Sequence, residues 1–487
     1  VGTPRPGGEG LPGPRRGEAC GVAGFSVGGE VSPLLYYALR AIQHRGQESA
    51  GIAVFDGNRA RIHRGMGLVH EIFSPATLKG LQGSSGIAHV RYSTTGLSKI
   101  EYAQPIVLHT LYGDLAVSHN GEIVNAAELR EELQLKGLAF STDLDSEVIV
   151  RLIAYELSRH RNVVEALKAA MRRLRGSYAL AVLFGDRVFC IRDPLGIKPL
   201  ALGRVEGGWG FASESVSFDI TSGEFVRDVM PGEIVEVTPE EAITHHVGGE
   251  DVPAHCMFEY VYFARADSVI DGRCVYDVRR NIGRILAREA PVEADVVIPV
   301  PDSGRAHALG YSTESGIPLA EGIMKNRYVE RTFILPEQGE RVESIRIKLN
   351  PVRSVIDGKR VILVDDSIVR GNTMRKIVRM LKRAGAKEVH VRIGCPPIIA
   401  PCYLGIDMKT RDQFIASGRT VDEIGRAIEA DSLAYISIDG LVRAIGMPAE
   451  HLCLGCLTGV YPVKIRGEKY RYQLTLDSYQ TSSQVPP

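Results

Sequence analysis

Cys20 opens the run CGVAGF (20–25) directly behind a leader, residues 1–19, rich in glycine, proline and arginine. A cysteine that becomes a chain's N-terminus carries its own α-amine beside its thiol. That amine titrates near ~7.7–8.0, so it serves as a general base at neutral pH without a separate histidine. Three further polar runs follow, each beside glycines: QHRGQESAG (43–51), HVRYSTTG (89–96) and SHNGEIVN (118–125). Taken singly, each is as readily a turn with satisfied side chains as a site. In the second half, VILVDDSIVRGNT (361–373) sets Asp365 and Asp366 at the end of an apolar strand. The N–H groups of such a loop, with those of the helix after it, cradle a phosphate. Two carboxylates add what a plain phosphate loop lacks, a grip on ribose hydroxyls and on hydrated Mg²⁺. A second strand, ADVVIPVPDSGR (294–305), ends in a tight polar turn at Ser303 and Gly304.

The eight cysteines are Cys20, Cys190, Cys256, Cys274, Cys395, Cys402, Cys453 and Cys456. Spread through a long chain with no apolar secretory segment, they read as thiols of a reducing cytoplasm, not a disulfide framework. CLGC (453–456) is the only C-x-x-C, and no early β-α-β pattern surrounds it as a redox pair would require. A metal centre needs two more ligands, and spacing alone leaves structural zinc and a 4Fe–4S cluster equally open. Cys190 and Cys274 read as small buried hydrophobes.

These residues need elements to hold them. At 487 residues the chain is too long for one ordinary core, so two domains are expected. From 20 to about 240, GIAVF, GIAHVRYST, DLAVSHNGEIV, SYALAVLFG and RVFCIRD read as strands, whereas VSPLLYYALRAIQHRG and SEVIVRLIAYELSRH carry helical spacing. Later, RVILV, a helix from about Thr373 and EVHVRIG form a β-α-β unit, whose ligand would gather at the strand's carboxyl end. The segment 331–350 is long, polar and weakly periodic, as a substrate lid is. Lys+Arg and Asp+Glu, 58 each, cancel, which recommends neither a nucleic acid nor an anionic membrane as partner.

Together the four N-terminal runs resemble the class II glutamine amidotransferase domain in order and spacing. That resemblance implies an N-terminal-nucleophile αββα sandwich with Cys20 as nucleophile and residues 1–19 as a propeptide. It implies Asn120 and Gly121 as oxyanion donors, Arg91 for the α-carboxylate of glutamine and Asp145 for its α-ammonium, with Asp143 a near competitor. VILVDDSIVRGNT resembles the phosphoribosylpyrophosphate (PRPP) motif of type I phosphoribosyltransferases, an α/β fold. PRPP would then meet Asp365, Asp366, Ser367, Arg370, Gly371, Asn372 and Thr373. Ser303 and Gly304 would take the diphosphate, and Arg331 and Lys348 would reach it from the lid. Mg²⁺ would sit at Ser303, Asp365 and Asp366.

Residues 20 to about 465 as a whole resemble the glutamine PRPP amidotransferases of the propeptide-bearing, iron–sulfur type. The resemblance divides the chain into propeptide 1–19, glutaminase domain 20–250, phosphoribosyltransferase domain 251–465 and tail 466–487. It implies conversion of PRPP, glutamine and water to 5-phosphoribosylamine, glutamate and diphosphate, with ammonia channelled between two sites. A 4Fe–4S cluster on Cys256, Cys402, Cys453 and Cys456 is implied, with Cys395 a competitor for the place of Cys402. So are a homotetramer and inhibition by purine nucleotides. Two alternatives stand beside this: another class II amidotransferase, which VILVDDSIVRGNT contradicts, and a non-catalytic nucleotide sensor, which would show drift at Cys20, Arg91 or Asn120.

Overall fold

The computed structural model describes residues 20–92, 99–246, 248–249, 252–326, 349–408 and 411–470. The chain forms two compact units. One runs to Asp251 and includes Tyr403–Asp407; the other takes Val252–Cys402 and continues from Met408.

Two antiparallel sheets make the centre of the first unit. The seven-stranded sheet runs, edge to edge, Glu224–Asp228, Ala201–Val205, Gly208–Ala212, Cys20–Val27, Ser85–Arg91, Ser49–Phe55 and Ala60–Met66. The six-stranded sheet runs Ala242–His246, Glu233–Val237, Arg187–Arg192, Gly176–Phe184, Gly113–Ile123 and Ile106–Thr110. Period-2 alternation gives each central strand two buried faces. Val22, Ala53 and Ile87 from the first sheet meet Ala116, Ala181 and Leu183 from the second in one inner core. The outer residues Val54, Ala88 and Val90 pack under helix Ser32–Ala41 through Leu35, Ala38 and Leu39. Leu115, Leu180 and Val182 pack likewise under helices Asp145–His160 and Val163–Arg173. The layers are therefore α, β, β, α. Helix Asp145–His160 forms where it does because Val148, Ile149, Leu152, Ile153 and Leu157 recur at helical spacing and are all buried. Each such side chain contributes about 1.5–3 kcal/mol when removed from water.

The second unit carries a four-stranded parallel sheet in the order Val296–Pro299, Arg360–Asp365, Glu388–Ile393 and Ser432–Tyr435. Its central strands are near-continuous apolar runs, as burial on both faces requires. Helix Asn372–Arg383 follows the second of these strands and buries Met374, Ile377, Val378 and Leu381 against the sheet core. Asp365 is thus the last residue of a strand, and Asp366 begins the loop that leads to the helix. Among the described residues no helix is long and apolar enough to cross a membrane.

Candidate functional site

In the first unit Cys20 begins its strand, is wholly buried, and lies in register with Arg91 on the neighbouring strand. Its backbone N–H donates to Asn120 Oδ1 at 3.3 Å. With residues 1–19 attached this nitrogen is a peptide N–H; in a chain cut before Cys20 it would be the α-amine. The Cys20 carbonyl accepts from Arg45 Nε at 3.0 Å. Arg45 is wholly buried and gives Nη1 to Glu214 Oε1 at 2.5 Å, and His44 Nε2 lies 2.6 Å from the same oxygen. Removing either partner from a buried pair of this kind strands the other charge, at about 3–5 kcal/mol. Arg45 and Glu214 went unrecognised in the sequence. They are 169 residues apart, and Glu214 sits in no recognisable motif; the arginine beside a glycine in QHRG was the one available signal.

Asn120 Nδ2 is buried and has no hydrogen-bond partner among the described residues, an uncommon state for a buried amide donor. It is a donor held ready. Gly121 beside it has φ +149°, and a Cβ there would stand 2.1 Å from the Ser177 carbonyl oxygen, so only glycine fits. Leu404 and Gly405, part of this unit, are pinned close by. Ser177 Oγ donates to the Leu404 carbonyl at 2.8 Å, and the buried Lys198 Nζ donates to the Gly405 carbonyl at 2.9 Å. A Cβ on Gly405 would touch Gly121 Cα at 3.0 Å. No motif or period in the chain signals this approach.

Arg91 is buried, donates to Glu48 Oε1 at 2.9 Å and lies over the Tyr102 ring at 5.3 Å. Asp145 is the first residue of its helix, accepts from the Ile123 N–H at 3.0 Å, and leaves its side chain 21% exposed. Burial would raise its pKa, but His119 and the N–H groups of Ile123 and Ser146 outweigh it and hold the carboxylate below its usual value. Asp143, two residues earlier, is exposed. His89, wholly buried, donates Nε2 to the His119 carbonyl at 3.0 Å, and burial drives its pKa down to about 3.

In the second unit Asp365 and Asp366 are both buried at the end of strand Arg360–Asp365. Asp365 Oδ1 accepts from the Asp366 N–H at 2.9 Å and from Ser303 Oγ at 3.3 Å, and Ser367 Oγ donates to Asp366 Oδ2 at 2.5 Å. Burial, and then the charge of Asp366, push the Asp365 carboxyl well above the usual range. A cation at this pair would reverse that cost, so the donor set suits Mg²⁺. Gly304 brings the polar turn against the same strand end: a Cβ on it would meet the Val364 carbonyl oxygen at 2.4 Å. His307, wholly buried, braces the turn through Nδ1 at 3.3 Å from the Ser303 carbonyl; it too was missed in the sequence. Gly371, with φ +76°, starts the helix that holds Asn372 and Thr373. Arg370 donates to Gln413 at 2.5 Å, and both line a cavity of about 340 Å³ with Asn372, Phe414, Ile415 and Arg419. Arg331, Lys348 and nearly all of the lid segment lie outside the described residues, as does the leader.

Backbone pairing brings together the segments that carry four of the cysteines. Cys256 and Cys453 are directly opposite on paired parallel strands. The Cys456 carbonyl accepts from the N–H groups of Ile399 (3.0 Å) and Ala400 (3.1 Å), which precede Cys402. All four are half-buried, and the Cys456 thiol is pushed well up by burial and then by Cys402, Cys395, Cys453 and Cys256. They do not close on one point: among the described residues no three His, Cys, Asp or Glu side chains are grouped to grip a single ion. Cys395 is wholly buried, and its thiol is pushed well up by burial, then by Asp366 and Cys256. Cys190 is wholly buried in the inner core. Cys274 departs from expectation: it is half-buried, because it lies in a two-residue hairpin strand just before helix Val275–Glu289.

Comparison with known proteins gives this arrangement its relatives. A glutamine amidotransferase domain family matches residues 89–219, and a phosphoribosyl transferase domain family matches 271–395. An amidophosphoribosyltransferase of Methanocaldococcus jannaschii is 52% identical over 454 residues, covering 90% of this chain and 96% of its own. That of Methanothermobacter thermautotrophicus is 50% identical, covering 94% and 97%. The chain belongs to the amidophosphoribosyltransferase family. The solved glutamine PRPP amidotransferase of B. subtilis, in complex with ADP and GMP, superposes with a TM-score of 0.86 at 42% identity, covering 92% of this chain and 98% of that one. The αββα sandwich followed by an α/β phosphoribosyltransferase unit is the fold of that family.

Proposed function

We propose that the chain catalyses glutamine-dependent amidophosphoribosyl transfer, making 5-phosphoribosylamine, glutamate and diphosphate from PRPP, glutamine and water, the first step of de novo purine synthesis. The observation that carries this reading is the pairing, on one chain, of a buried Cys20 held to Asn120, whose Nδ2 has no partner among the described residues, with a buried acid pair at a parallel strand's end. Glutamine binds with its α-carboxylate on Arg91 and its α-ammonium on Asp145. The α-amine of Cys20, freed by removal of residues 1–19, takes the thiol proton, and the thiolate attacks the side-chain amide. Asn120 Nδ2 and the Gly121 N–H receive the oxyanion. Ammonia leaves, and water cleaves the thioester to release glutamate.

At the other site the N–H groups of 367–373 hold the 5′-phosphate, with Ser367, Arg370, Gly371, Asn372 and Thr373 around it. Asp365 and Asp366 take the ribose hydroxyls. Ser303 and Gly304, with Arg331 and Lys348, face the diphosphate. Mg²⁺ at Ser303, Asp365 and Asp366 would supply the charge that steadies the leaving diphosphate. Cys256, Cys402, Cys453 and Cys456 would hold a 4Fe–4S cluster with a structural role. Assembly as a cytoplasmic homotetramer, and inhibition by purine nucleotides, complete the reading; the ADP and GMP in the solved relative support the latter.

Purified protein given PRPP, Mg²⁺ and glutamine should release glutamate and diphosphate in equal amounts. Diphosphate release that ignores both glutamine and ammonia would overturn the reading. A nucleotide sensor would bind nucleotide and release neither product.

A further inference from the structure

Strand Gly113–Ile123 points alternate side chains to opposite faces. Asn120 meets Cys20 on one face, and His119 meets helix Asp145–His160 on the other. The His119 ring is wholly inside the protein at 2% exposure, and no step of the proposed reaction uses it. Its main chain is held twice, the carbonyl by His89 Nε2 at 3.0 Å and the N–H by Gln104 Oε1 at 2.8 Å. Its Nδ1 lies 3.2 Å from Ser146 Oγ and 3.7 Å from Asp145 Oδ1.

With the His119 proton on Nδ1 the hydrogens in this group form a self-consistent set, and His119 Nε2 has no partner among the described residues. A carboxylate only accepts, and in this tautomer the hydroxyl 3.4 Å from Asp145 Oδ1 gives its hydrogen there. The two lone pairs of Ser146 Oγ are then filled by Gln104 Nε2, at 3.0 Å, and by His119 Nδ1–H. Asp145 Oδ2 is taken by the Ile123 N–H. Both carboxylate oxygens are oriented from behind, and the exposed part of the side chain is left for a ligand.

We propose that His119, through Ser146 and with Gln104, is a positioning residue that aims Asp145 at the α-ammonium of glutamine, and so sets selectivity for an amide that carries an α-amine. The proposal rests on the reading of Asp145 as the ammonium's partner. His119 touches neither substrate nor Cys20 in this account; it acts by fixing the carboxylate.

The test compares glutamine with 4-carbamoylbutanoate, which has the same amide and carboxylate but no α-amine, in the glutaminase half-reaction of the full chain. In His119→Leu the KM for glutamine should rise about ten-fold, the loss of one oriented charge-assisted hydrogen bond, and kcat should fall much less. The preference for glutamine over the des-amino amide should fall by the same factor. His119→Asn, whose side-chain NH₂ lies near the place of Nδ1, should restore most of that preference. Ser146→Ala, a smaller change should His119→Leu fold poorly, should lower it as well. A loss of kcat on both amides with the preference intact would mean that His119 is only structural, and the proposal would fall. If Asp145→Asn also leaves the preference intact, the assignment of Asp145 fails instead. Wild-type protein that hydrolyses neither amide would sink the functional reading itself.

Discussion

Asn120 Nδ2 is a buried donor with no partner among the described residues, and such a donor carries a standing cost of about 1–3 kcal/mol. A site that receives a developing oxyanion recovers that cost in the transition state, where the donor finds its charge. Asn120→Ala should therefore lower kcat for glutamine by roughly 10²–10³, with a small change in KM. Steady-state kinetics of glutamate release measure it; a change confined to KM would place Asn120 in substrate binding instead. Cys20 sets a second test. Its nitrogen points at Asn120 Oδ1 already as a peptide N–H, so the proposed cleavage before Cys20 would create the amine in place. Intact mass of glutamine-active enzyme should show a chain that begins at Cys20, and full glutaminase activity with residues 1–19 retained would remove the α-amine from the mechanism. Single residues of this kind were legible because their chemistry needs particular types in short motifs. Arg45, Glu214 and His119 were not, because their work is to hold other groups from elements remote in sequence.

At the scale of elements, periodicity carried most of the fold. The apolar stripe of Asp145–His160 and the apolar run of Arg360–Asp365 each have one physical solution. Sequence patterning could not show that Tyr403–Asp407 joins the first unit, since five loop residues carry no period and their anchors, Ser177 and Lys198, are over 200 residues away. Nor could it show the Cys256–Cys453 pairing, which joins two strands of two residues each. That pairing gives the four thiols their proposed role. Half-buried thiols gathered from three segments stay protonated unless a cationic centre binds them as thiolates, and the centre then ties those segments together. Protein purified without oxygen should be brown, with about four iron and four sulfide per chain, as a 4Fe–4S cluster requires. Cys453→Ser should lose the iron and unfold at lower denaturant concentration. Stoichiometric zinc, or wild-type stability in Cys453→Ser, would end this role.

At the scale of the whole molecule the question is why a glutaminase and a phosphoribosyltransferase share one chain. Ammonia in water at neutral pH is mostly ammonium, which has no lone pair with which to attack C1 of PRPP. Ammonia freed into bulk solvent would be protonated and diluted before it met its acceptor. Passage from one site to the other without release into water would keep it neutral and its local concentration high, the proximity and desolvation argument for coupled sites. The half-reactions should then separate by mutation. Cys20→Ala should abolish glutamine-dependent synthesis and retain synthesis from high external ammonia, whereas Asp366→Asn, which disturbs the buried acid pair, should damage synthesis from either nitrogen source. In the intact enzyme PRPP should accelerate glutamate release, because an occupied acceptor site licenses the donor site. Competition between isotopically labelled external ammonia and unlabelled glutamine is the decisive measurement. With glutamine saturating, little label should enter phosphoribosylamine if ammonia is handed over directly. Free entry of external label under those conditions would mean that the two reactions share a chain without sharing their ammonia, and the coupling argument would fail.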